Sequence, residues 1–170
     1  MRKLVTDLEA IGRYCEGREE EYDAFRAFLK GELDWEGEEL DRVVHEIARA
    51  VYAAIDCTAC ANCCRTMAVS MNTLDVERLA AHLGLSETEL EDRYLTITPD
   101  RQRLMQSLPC SFLLGSVCSV YEERPKDCRD FPHLLKPDFR SRTLSVFVNA
   151  PDCPIVFNFL ERLKRAVGFG

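Results

Sequence analysis

The sequence predicts a mainly helical α+β fold, a single domain whose short strands or hairpins surround a cysteine-rich metal site. Three observations carry that expectation. Apolar residues recur at helical spacing near both ends of the chain. Segments rich in Thr, Ile and Val, punctuated by proline and glycine, fill much of residues 95–121. Eight cysteines fall between positions 57 and 153. At 170 residues and 46% hydrophobic, the chain can bury one sizeable core. We divide residues 1–170 into a helical N-terminal part, 1–56, and a cysteine-cluster core, 57–160.

Taken in order, Leu4, Leu8, Ile11, Phe25, Phe28 and Leu29 predict a helix over residues 4–30. Gly31 and the acidic run 32–39 break it. A second helix starts near Glu38, with Leu40, Val43, Val44, Ile47, Val51 and Ile55 on one stripe, and delivers the chain into Cys57. A third spans 72–82, with Leu74, Leu79 and Leu83 facing inward and Gly84 as its stop. Ser86 and Glu89 form a capping box that opens a fourth. Residues 95–98, 112–121 and 144–148 are strand candidates. The last helix begins at Pro154 and runs to Gly168.

Within 57–64 the chain reads Cys57-Thr-Ala-Cys60-Ala-Asn-Cys63-Cys64, and Cys110, Cys118, Cys128 and Cys153 follow. Two-residue gaps let successive thiolates converge on one centre, so all eight are assigned as metal ligands. Eight thiolates suffice for two four-sulfur sites. Vicinal Cys63-Cys64 would be strained as a disulfide, and an odd total of nine cysteines also speaks against a disulfide framework. Cys15 stands apart and reads as an ordinary free thiol. The C-x2-C-x2-C run and the Cys153-Pro154 step favour an iron–sulfur cluster, while the irregular spacing of the second group keeps zinc in play. Arg124 and Arg129 flank Cys128 and are assigned to offset the charge of the bound group, with an Arg124–Asp127 surface pair as the competing role for Arg124. His45, His82 and His133 are not required as ligands.

These residues resemble the YkgJ-type CxxCxxCC cysteine-cluster family. The resemblance is carried by Cys57-x2-Cys60-x2-Cys63-Cys64, Pro109-Cys110-Ser-Phe-Leu, and Cys118-Ser-Val-Tyr121-Glu-Glu-Arg124-Pro125-Lys-Asp-Cys128-Arg129-Asp-Phe131-Pro132. It covers about 57–160 and implies a domain that chelates zinc or iron. A related cysteine cluster occurs in the flagellin lysine methylases, which are longer. A metal-dependent enzyme, with protein methyl transfer as the analogy, is therefore the alternative to a binding protein whose metal is structural, cargo or redox-active.

Other classes fit poorly. The net charge of −7 and the lack of a basic stripe argue against nucleic acid and anionic membrane. The N-terminus turns acidic where a signal peptide needs an apolar stretch, and no run approaches the roughly 20 apolar residues of a spanning helix. The expected setting is the cytoplasm, with a metal ion or cluster as the partner and any protein partner left open. Neither G-x-G-x-x-G nor G-x-x-x-x-G-K is present, so no dinucleotide or phosphate loop is readable.

Overall fold

In a computed structural model, residues 4–170 are described, and the fold is α+β and mainly helical. In chain order the elements are α1 (Leu8–Cys15), α2 (Glu19–Ala27), a π-turn (Phe28–Glu32), α3 (Gly37–Tyr52), α4 (Cys57–Cys60) and α5 (Asn62–Thr66). Then come β1 (Ser70–Met71), α6 (Thr73–Leu83), α7 (Glu87–Tyr94), β2 (Leu95–Ile97) and β3 (Arg103–Met105). The chain continues through β4 (Leu113–Leu114), β5 (Val117–Cys118), α8 (Lys126–Asp130), α9 (Phe139–Phe147) and α10 (Pro154–Ala166). Among the described residues no helix is long and apolar enough to cross a membrane.

Two units emerge. The first comprises residues 1–56 and 132–170, the second residues 57–131. In the first, α3 packs along α10, whose Pro154, Ile155, Val156, Phe157, Phe159, Leu160 and Leu163 are all buried. The expected helix over 4–30 is two helices, because Gly17 adopts φ +71 between them and Asp7 caps α1 through the Ala10 N–H at 3.0 Å. The strand expected at 144–148 is instead part of α9. Its buried Phe139, Thr143, Val146 and Phe147 recur at helical spacing, and both Asp41 carboxylate oxygens accept its leading N–H groups, from Asp138 at 2.7 Å and Phe139 at 2.9 Å. That long-range cap and the burial outweigh the β-preference of the two valines.

The second unit is built from shorter pieces. Antiparallel strands in the order β1-β3-β2 pair Ser70 with Leu104 and Thr96 with Leu104, and α6 and α7 supply its helical layer. Both helices open with complete capping boxes, Asn72 with Asp75 and Ser86 with Glu89, and Gly84 ends α6 at φ +67. Val76, Leu79, Leu90, Leu95, Met105, Phe112 and Val120 form its apolar core. Leu74, expected inward, is 70% exposed because the stripe through Val76, Leu79 and Ala80 takes the buried face. The β4–β5 hairpin turns at Gly115-Ser116, where φ +65 at Gly115 suits a tight primed turn.

Candidate metal centre

Seven of the eight expected ligands lie in the second unit. The first group enters on two single-turn helices. α4 carries Cys57 and Cys60; buried Ala61 then takes a left-handed φ of +51; α5 follows with Cys63 and Cys64. A non-glycine residue in that conformation is sterically costly, and here it turns the chain between Cys60 and Cys63. Arg65 ties the run to the hairpin, donating from Nη1 to the Cys60 carbonyl at 2.8 Å and from Nη2 to the Gly115 carbonyl at 3.1 Å. α4 also packs against β5, the strand that carries Cys118.

The second group meets the first through the backbone. The Cys110 N–H donates to the Cys64 carbonyl at 2.8 Å, and the hairpin brings Cys118 opposite Leu113. Cys110 and Cys118 both pack on the apolar core, which keeps water from one side of them. The backbone N–H groups two residues further on, of Phe112 for Cys110 and of Val120 for Cys118, act to lower those two pKa values. These donors favour the thiolate and are already in place before any metal is bound.

As neutral thiols the group resists ionisation. Burial raises the Cys128 pKa to about 12, reinforced by the nearby Cys64, Cys110, Cys118 and Asp127. Cys64 is pushed up well beyond the usual thiol range, by its hydrogen bond with Cys63 and then by burial. Burial also raises Cys110, where the Phe112 N–H opposes it and Cys64 and Cys118 add to it. For Cys118, burial and Cys64 raise the pKa while the Val120 N–H and Arg124 lower it. Cys64, Cys110 and Cys118 each raise the Cys128 pKa, and a divalent cation beside these thiols would reverse the sign of that interaction. No disulfide joins any two cysteines among the described residues. Among the described residues no three Cys, His, Asp or Glu side chains are drawn together tightly enough to grip an ion as they stand. The donor set itself, a run of soft sulfurs, suits a thiophilic metal.

Comparison with known families agrees with that chemistry. The family described as "CxxCxxCC: Putative zinc- or iron-chelating domain" matches residues 56–154. The chain belongs to this family. No curated protein and no solved structure matches it.

The remaining expected site residues of this CxxCxxCC chain are distributed as follows. Cys153 belongs to the first unit, where it is buried at the start of α10. Arg124 does not pair with Asp127: it stacks over the Tyr121 ring at 3.8 Å, donates to the Tyr121 carbonyl, and lowers the Cys118 pKa. Asp127 instead accepts the Ser70 hydroxyl. Arg129 reaches the Asp75 carboxylate at 3.9 Å. His45 contacts the Lys136 carbonyl at 3.4 Å, and His133 lies in the first unit with φ +62. The sequence reading missed Arg65, the cation that lowers the Cys64 pKa. It also missed Asp75, whose one visible signal is its spacing of three from Asn72 ahead of an apolar stripe.

Proposed function

We propose that this protein is a cysteine-ligated metal-binding protein that holds an iron–sulfur cluster in a structural, carrier or redox role. The observation that carries this reading is the Cys110 N–H bonded to the Cys64 carbonyl at 2.8 Å, with Cys110 and Cys118 packed on the apolar core and Cys64, Cys110 and Cys118 all raising the Cys128 pKa. Cys57 and Cys60 on α4 and Cys63 on α5 supply further thiolates, and Cys153 is an eighth candidate. Because Cys64, Cys110, Cys118 and Cys128 are disfavoured as thiolates without a cation, loading releases protons and draws their side chains inward. The C-x2-C-x2-C spacing favours iron–sulfur over zinc. Arg65 and Arg124 offset the excess negative charge of a thiolate-bound centre, Arg65 near Cys64 and Arg124 near Cys118. Nine cysteines without a disulfide among them suit the reducing conditions of the cytoplasm.

The test is anaerobic purification with metal analysis, sulfide analysis and a visible spectrum. The expected preparation is brown, with a broad band near 400 nm (on the order of thiolate–iron charge transfer), and contains sulfide with its iron. A colourless anaerobic preparation carrying stoichiometric zinc, without iron or sulfide, would overturn the iron–sulfur reading and leave a zinc protein.

A further inference from the structure

We propose that buried Asp75, acting with Arg78, is the positioning residue of the metal centre and fixes where Cys128 stands. The inference rests on the reading of Cys128 as a ligand. Cys128 sits in α8, a five-residue helix with no side-chain cap of its own. A single turn of that length does not hold itself together in water, so its placement must come from outside. Asp75 Oδ1 accepts the Lys126 N–H at 3.0 Å, the first N–H of α8, across 51 residues of sequence. Arg78 Nη2 donates to the same carboxylate oxygen at 3.0 Å and to the Arg124 and Glu123 carbonyls at 3.0 and 3.3 Å. Its Nε lies 2.8 Å from the Glu123 carboxylate. In the same helix, Asp127 takes the Ser70 hydroxyl of β1. The turn bearing Cys128 is thereby clamped to α6 and to β1.

A repeat of the same motif within the unit shows what is unusual about Asp75. Glu89 occupies the equivalent capping-box position of α7, is exposed, and bonds only to Ser86 and, more distantly, Arg93. Capping alone therefore does not need a buried carboxylate. Asp75 is 2% exposed, and a buried charge is tolerated only with several partners. It closes its own box with the Asn72 N–H at 3.3 Å, and its other oxygen serves Lys126, Arg78 and, at 3.9 Å, Arg129. That extra set of partners all leads to the segment 123–129.

The experiment strips metal from the full chain under anaerobic conditions and titrates cobalt(II), whose thiolate charge-transfer bands report how many sulfurs bind. Cys128→Ser defines the spectrum with that thiolate missing. Asp75→Ala is expected to move toward the Cys128→Ser spectrum and to weaken cobalt binding about tenfold or more, the usual cost of losing an outer support of a ligand. Asp75→Asn keeps the size and one acceptor, so it carries the test if the alanine variant does not fold, and an intermediate loss is expected. Glu91→Gln, which breaks the Glu91–Arg103 pair of the same unit, controls for general destabilisation and should leave spectrum and affinity unchanged. Wild-type spectrum and affinity in a folded Asp75 variant would overturn the positioning role, whatever its thermal stability. Wild-type protein without thiolate–cobalt bands would overturn the metal reading itself, and this inference with it.

Discussion

The two units solve the same problem with different means. The first has long helices and closes on aromatic packing: Phe25 lies 5.4 Å from Phe147, and Phe139 meets Phe159 edge-on at 5.5 Å. It even tolerates a buried ammonium, Lys164, bonded to Glu21 at 2.6 Å and Glu161 at 3.0 Å and seated 4.5 Å from the Tyr22 ring. The second unit has strands of two or three residues and helices of four to eleven. Elements that short close around one small core, that of Val76, Leu79 and Leu90, and small scaffolds of this kind add staples. On the proposed function the staple is a metal held by these thiols, so that function and folding would share the same atoms in one unit and be separate in the other.

Metal removal breaks that comparison most directly. Structural thiolate sites contribute about 10 kcal/mol or more of apparent free energy to folding. Anaerobic chelation, or Cys110→Ser, should therefore lower hydrogen-exchange protection across 57–131 far more than in α3 and α10. Equal loss in both units would show that the second does not depend on metal in the way its short elements suggest.

A reciprocal test lies in the first unit. Burial works against the Lys164 charge, yet hydrogen bonds to Glu21 and Glu161 outweigh it and hold the pKa above the usual lysine range. Lys164→Met removes the cation from two carboxylates that remain partly enclosed. The expected loss is about 2 kcal/mol, below that of a fully buried pair because Glu21 is one-third exposed. Metal content should stay unchanged. Reduced metal binding in this variant would mean that the units are energetically coupled.

What could be read from the sequence follows the range of the interactions. Local signals translated directly: Ser86 with Glu89, Gly84 and Pro154 mark helix ends through contacts within four residues, and each is found in that role. The cysteine run announced the metal chemistry for the same reason. Elements whose cause is distant were not legible. α9 looked like a strand because its cap, Asp41, lies 97 residues away from Asp138. α8 is too short to show a period, and the carboxylate that holds it belongs to α6. Spacing could propose Cys128 as a ligand, but the support from Asp75 exists only after folding.

The two states of the second unit should also respond to pH with opposite sign. In the metal-free protein, burial lifts Cys128 to about 12, and a group raised in the folded state stabilises it only while protonated. That contribution is complete below the ordinary thiol range near 8.5 and is lost as pH climbs toward 12. With metal bound the ligands are thiolates, protons compete for them, and stability is lost instead as pH falls. Urea midpoints at pH 7 and 10 should drop with rising pH for stripped protein and should not drop for loaded protein. The same direction in both states would mean that these thiols are not the ligands.

The smallest expected effect is a control on the whole assignment. Cys15 belongs to the first unit, is 5% exposed at the end of α1, and sits 3.5 Å from the Tyr22 hydroxyl. Burial raises its pKa, but the groups that act on it are Tyr22, Glu161, Lys164 and Arg18 rather than other thiols, so no second sulfur stands ready to share a metal with it. Serine has nearly the same shape, and its hydroxyl can exchange a hydrogen bond with Tyr22, which limits the cost of burying a more polar group to about 1 kcal/mol. Cys15→Ser should therefore leave metal stoichiometry and the visible spectrum unchanged, with only a slight shift in the melting of the first unit. Cys60→Ser, made in the same way, should lower metal content. Loss of metal from the Cys15 variant would mean that buried sulfur in the first unit contributes to the centre, and the division of labour between the two units would have to be redrawn.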